Sequence, residues 1–126
     1  MKDITTKEDI QLLVNTFYDK VKASEIGFFF TDLAKVNWEK HLPKMYIFWE
    51  SVLFASVKFE GNPMGVHYPI NEMAAMEKHH FNTWLKLWKE TVDLLFSGET
   101  ADSAKNKAEN IANLMAYKME MARKLS

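Results

Sequence analysis

Apolar residues recur at steps of three and four in four separate segments of this chain, and nowhere do they alternate with polar ones as a half-buried strand requires. A period near 3.6 gathers such residues onto one helical face, which another helix must cover, so the expected fold class is all-α. The first stripe is Ile10, Leu13, Val14, Phe17 and Val21. Thr6 caps it, with Asp9 three residues on in a capping-box arrangement, and the helix should run from about Lys7 to Ala23. Asn37 caps a second helix carrying His41, Met45, Phe48, Trp49 and Val52, in which Pro43 predicts a kink near Glu39 or a restart at Leu42. Phe81, Trp84, Leu85, Trp88, Val92 and Leu95 define a third, from about Glu77 to Phe96, that stops at Ser97-Gly98. The fourth begins after Thr100 or Asp102, with Ala104, Ala108, Ile111, Met115, Met119 and Ala122 in line and its small residues early, where another helix can approach.

Two stretches fall outside these stripes. Ile26 to Phe30 is short and bulky and reads as a buried corner, one turn of tight helix. Gly61, Pro63, Gly65 and Pro69 punctuate a segment with no room for a long helix, and His67 lies in this irregular centre.

At 126 residues the chain is expected to form one domain over 1–126. Its 48% hydrophobic and 13% aromatic content exceeds what so small a core needs, which points to a bound apolar partner. The absence of cysteine excludes disulfides, thiolate metal sites and a cysteine nucleophile, so any metal must use histidine or carboxylate. A net charge of -1, with both signs interspersed, provides no field for nucleic acid or an anionic membrane. MKDITTKEDI has no apolar signal core, and a cytoplasmic location is expected.

Tyr18, His41, His67 and Trp84 sit on or beside apolar stripes, where packing alone favours aliphatics. Each singly is an ordinary core residue, but a buried polar group without a partner costs about 1–3 kcal/mol, and four together call for a common polar occupant. His41 and His67 lie on different elements, unlike the four-apart histidines of a zinc hydrolase. His79 and His80 are adjacent, should point about 100° apart on a helix, and so should not share a metal. One histidine on a flat apolar cofactor, faced by a second histidine, a phenol and an indole, is instead the layout of a haem with a polar distal pocket.

Five ordered segments carry a family resemblance: Phe17-Tyr18-Asp19-Lys20-Val21, Trp38-Glu39-Lys40-His41, Met45 through Phe48-Trp49, Gly61-Asn62-Pro63-Met64-Gly65-Val66-His67, and His80-Phe81-Asn82-Thr83-Trp84-Leu85. Over Phe17 to Leu95 the chain resembles the group III truncated haemoglobins, which also lack the double-glycine turns of other truncated haemoglobins. The resemblance implies a truncated globin fold, a two-over-two helical sandwich around haem b, with His67 as proximal iron ligand and Tyr18, His41 and Trp84 as the distal polar set. Met45 would line the distal wall, Phe30 and Phe81 press on the porphyrin, Phe48 contact the cofactor, Met64 pack at its edge, and Ile111 and Met115 form the back wall. His41 has three open roles: donor, gate, or a group facing solvent. Trp38 is expected to brace a corner, and Trp49 and Trp88 to fill the core.

The implied function is reversible binding of oxygen, and of carbon monoxide and nitric oxide, with no side chain marked as a catalytic group. Nitric oxide detoxification or peroxide chemistry would need an external reductase. A cofactor-free helical ligand-binding or adaptor module is the alternative. Methionines on the last helix allow a monomer or a weak dimer.

Overall fold

The computed structural model describes residues 1–55, 59 and 61–125, with the Met64 side chain, and hence its expected haem contact, outside that description. Five α-helices and one π-helical turn make up the described residues, with no strand among them: α1 (Lys7–Lys22), the turn Phe29–Leu33, α2 (Trp38–Phe54), α3 (Pro63–Met73), α4 (Lys78–Leu95) and α5 (Glu99–Leu125). None of these helices is long and apolar enough to cross a membrane.

The capping box that starts α1 forms as the sequence predicts. Thr6 Oγ1 accepts from Asp9 N–H at 3.1 Å, and Asp9 Oδ2 accepts from the N–H groups of Thr5 and Thr6 at 2.9 and 3.1 Å. Lys2 adds an ion pair to the same carboxylate at 2.8 Å. After α1 the corner buries Ile26 and Phe29, but its helical turn is wide rather than tight: Ala34 N–H reaches Phe29 O, five residues back, at 2.9 Å.

Helix α2 runs through Pro43 from its Asn37 cap, without the restart at Leu42 that the sequence allowed. The proline removes only the bond to the Glu39 carbonyl, and Glu39 is exposed, so that carbonyl can turn to water. The irregular centre is also corrected, because eleven residues around His67 form α3. The same glycine and proline signals start a helix: Asn62 caps it by accepting from Gly65 N–H at 2.9 Å, and Pro63 occupies the first turn, where no N–H is needed.

Helix α5 begins at Glu99, slightly earlier than the sequence suggests, because its cap comes from the other end of the chain. Asp3 Oδ2 and Oδ1 accept from the N–H groups of Thr100 and Ala101 at 2.9 and 2.8 Å. A Cβ on Gly98 would lie 2.5 Å from the Asp3 side chain, and its φ of +142° is open to glycine alone. Glycine is therefore required where the two segments meet.

Helices α1 and α2 pack as one pair and α4 and α5 as another, with α1 crossing α4 and α2 meeting α5, the two-over-two arrangement. At the crossing sits Trp88, with no exposed surface. Its ring stacks on Trp49 of α2 at 4.1 Å and meets the edge of Phe17 of α1 at 5.0 Å, while its indole N–H donates to Ala104 O of α5 at 3.1 Å. Close approach of α5 is possible because Ala101, Ala104, Ala108 and Ala112 form its buried stripe.

Burial raises the Asp9 carboxyl, but the bonds from Lys2, Thr5 and Thr6 outweigh it and hold the group well below the usual carboxylate range. A depressed folded value means that the stabilisation is present above the unfolded value near 3.8 and lost as pH falls through the folded one. Urea unfolding of Asp9→Asn at pH 7 should show a loss of about 1–2 kcal/mol, and a shallower acid dependence below pH ~4 than wild type.

Candidate functional site

Helix α1 buries Phe17 and Tyr18 in succession, which widens its apolar face enough to meet both α2 and α4. Phe17 turns to the tryptophans of the core, and Tyr18 to a second aromatic group. The Tyr18 ring lies edge-on to Phe30 at 5.7 Å and to His41 at 5.4 Å, and is tilted against Trp38 at 5.5 Å. Burial pushes the phenol well above its ordinary value, so it stays protonated and available as a donor.

His41 projects from the second turn of α2 into this cage. Trp38, one turn before it, meets its ring edge-on at 5.6 Å, and Phe30 lies at 6.3 Å. Its Nε2 is the one buried side-chain nitrogen or oxygen without a hydrogen-bond partner among the described residues. Burial first, then the charges of Lys44 and His67, keep the imidazole below its ordinary value and thus neutral at neutral pH.

His67 lies on α3, and its Nδ1 bonds to the carbonyl of Pro63, one turn back. A carbonyl only accepts, so Nδ1 must carry the proton and Nε2 keeps its lone pair, the tautomer a metal ligand needs. Burial lowers the pKa, against the Pro63 bond, which raises it.

Trp84 joins this group through Phe17, whose ring meets it edge-on at 5.7 Å. It stands parallel to Trp88 at 6.3 Å, but among the described residues only Trp88 of the two has a partner for its N–H. Phe30, Met45, Phe48, Ile111 and Met115 are partly buried and packed on the core, and Phe81 is buried within it.

One residue given a bracing role by its sequence position belongs to the site. Trp38 lies nearly parallel to Phe30 at 5.9 Å, contacts Tyr18 and His41, and carries the Lys22 ammonium 4.3 Å from its ring centroid. Its spacing of three from His41 was the available signal, since residues so spaced share a helix face.

The expectation that His79 and His80 diverge is corrected. Their ring centroids are 4.0 Å apart, and with Glu77 they place ligand atoms within 4.8 Å of one another. At a helix start no preceding turn constrains the rotamers. Yet His80 Nδ1 accepts from Glu77 N–H at 3.0 Å, so the other ring nitrogen of a neutral His80 is protonated and cannot ligate while this cap persists.

No family model matches the chain. It is similar to the group 3 truncated hemoglobin ctb of Campylobacter jejuni, with 26% identity over 111 residues covering 85% of each chain. It also superimposes on the crystal structure of a group III truncated hemoglobin from Campylobacter jejuni with a TM-score of 0.81 and 24% identity, covering 94% of this chain and 95% of the other. The fold is that of the truncated globins. In sequence the chain resembles a group 3 truncated hemoglobin over most of its length, as its own segments suggested.

Because folding favours the neutral imidazoles, His41 and His67 contribute stability that is complete above pH 6.5 and lost as pH falls below it. NMR titration of the ligand-free protein should give ring midpoints below 6.5 for both; midpoints at or above that value would contradict the burial described.

Proposed function

We propose that this chain binds haem b through His67 and holds a diatomic gas, above all oxygen, on the face formed by Tyr18, His41 and Trp84. The observation that carries the reading is the state of two partly buried imidazoles. One is fixed by Pro63 in the ligand tautomer, and the other buries a ring nitrogen that no described residue satisfies. A buried polar atom without a partner is explained when an occupant meets it. The aromatic and methionine walls suit a flat apolar cofactor, and the neutral state of both histidines suits ligation and hydrogen bonding. The residues present therefore fit haem.

Haem, when bound, would supply an iron able to take a histidine nitrogen and a diatomic gas. His67 orients through its Nδ1 bond and offers Nε2. Tyr18, kept protonated by burial, would offer its O–H to the gas, and the Trp84 N–H would be a second donor. His41, neutral, donates from whichever ring nitrogen carries its proton. Phe30 and Trp38 exclude water from these groups, which strengthens each bond. Oxygen, which draws negative charge on binding, gains more from such donors than carbon monoxide does. Turnover of nitric oxide or peroxide at this site would draw electrons from a separate reductase.

The purified protein should be red, with a Soret band that shifts on adding carbon monoxide to the ferrous form. His67→Gly should lose the iron–histidine signature and regain it with imidazole. A protein that stays colourless when offered haem sinks the reading and leaves a groove for an organic ligand or a partner helix. In stopped-flow measurements Tyr18→Phe should release oxygen roughly tenfold faster, equivalent to about 1.4 kcal/mol, with carbon monoxide release much less affected. An unchanged oxygen off-rate removes Tyr18 from the distal set.

A further inference from the structure

Helix α3 is poorly equipped to hold itself in place. Pro69 removes an internal hydrogen bond, no charged side chain supports its first or last turn by sign, and Val66 and Met73 are 60% and 63% exposed. It packs on α5 and on the π-helical turn. One polar side chain holds it. Asn71, 5% exposed, donates from Nδ2 to Met119 O of α5 at 3.0 Å. Its Oδ1 accepts from Met76 N–H at 2.9 Å and from Arg123 Nη1 at 2.8 Å. Arg123 also donates to Met76 O at 2.8 Å, so α3, the segment after it and the end of α5 are closed into one bonded unit.

Asn71 lies four residues after His67, on the same face and about 6 Å further along the axis. Any tilt or slide of α3 that breaks this unit moves His67 with it. We infer that Asn71 and Arg123 are positioning residues for His67: their bonded bridge to α5 fixes the stance of α3 and, with it, the bond from His67 to haem iron. This rests on the proposed haem ligation by His67. Neither residue touches the iron site. They act through the helix rather than by a direct bond to the imidazole, so their loss should cost no more than the low end of the roughly 10–100-fold typical of direct outer partners.

The test uses ferrous haem-loaded protein without added gas: wild type, Asn71→Leu, Arg123→Met and Arg123→Lys. Two quantities are read, the iron–histidine stretching band by resonance Raman and the rate of haem transfer to an acceptor protein. Asn71→Leu should shift and broaden the band and speed haem loss about tenfold. Arg123→Met should move both in the same direction by less, because the Asn71 bonds to Met119 and Met76 remain, and Arg123→Lys should recover part of the change. If Asn71→Leu does not fold, the two Arg123 variants decide. Wild-type bands and haem-loss rates in folded Asn71→Leu and Arg123→Met overturn the inference. A wild type that shows no iron–histidine band fails earlier, at the haem reading itself, and is distinguished by needing no variant.

Discussion

Four helices take their register from one indole. Trp88 is where α1, α2, α4 and α5 converge, through Phe17, Trp49 and the Ala104 carbonyl. A tryptophan buries about 150–250 Å² and brings a polar N–H that must be satisfied, so its position is fixed by packing and by direction together. The alanine stripe of α5 is the complement, since only small side chains let that carbonyl come within hydrogen-bonding distance of a ring on α4. Truncating Trp88 would cost about 3–5 kcal/mol, a large part of the stability of a domain this size.

The polar site inherits its geometry from this apolar crossing. Phe17 touches Trp88, Trp84 and Tyr18, so one side chain links the scaffold to two of the proposed distal donors. The contrast between neighbours is physical. Trp88 spends its N–H inside the protein, whereas His41 buries a nitrogen that the described residues leave unmet. A core selected for stability alone would not keep such a nitrogen, because an apolar ring of the same shape would cost less. The side of the site that carries His67 is built differently, on a short helix whose stance depends on polar bonds to α5 rather than on a broad apolar face.

Much of this was legible in the sequence because it is local. The Thr6–Asp9 box, the Asn37 cap and the apolar stripes of α1, α4 and α5 depend on spacings of three and four, and they stand where those spacings put them. Tyr18 and His41 were marked by being polar on apolar faces, and the structure brings them together. The failures are instructive. Glycine and proline around His67 signal a break or a start, and only the Asn62 cap resolves which. Pro43 allows a restart of the helix at Leu42, yet an exposed Glu39 four residues back lets α2 run on through it. The Asn71–Arg123 unit could not be read, since its partners lie about fifty positions apart and asparagine on a helix is unremarked by any periodicity.

The cap of α5 by Asp3 has a consequence for how the molecule comes together. The first turn of α5 receives hydrogen bonds from a residue that precedes α1, 97 and 98 positions earlier in the chain. Until residues 98–101 exist, the Asp3 carboxylate has no N–H groups of α5 to meet, and the alanine stripe that admits Trp88 is still unbuilt. These bonds close a noncovalent ring, and the entropy lost in closing it is set by separation along the chain rather than by helix propensity.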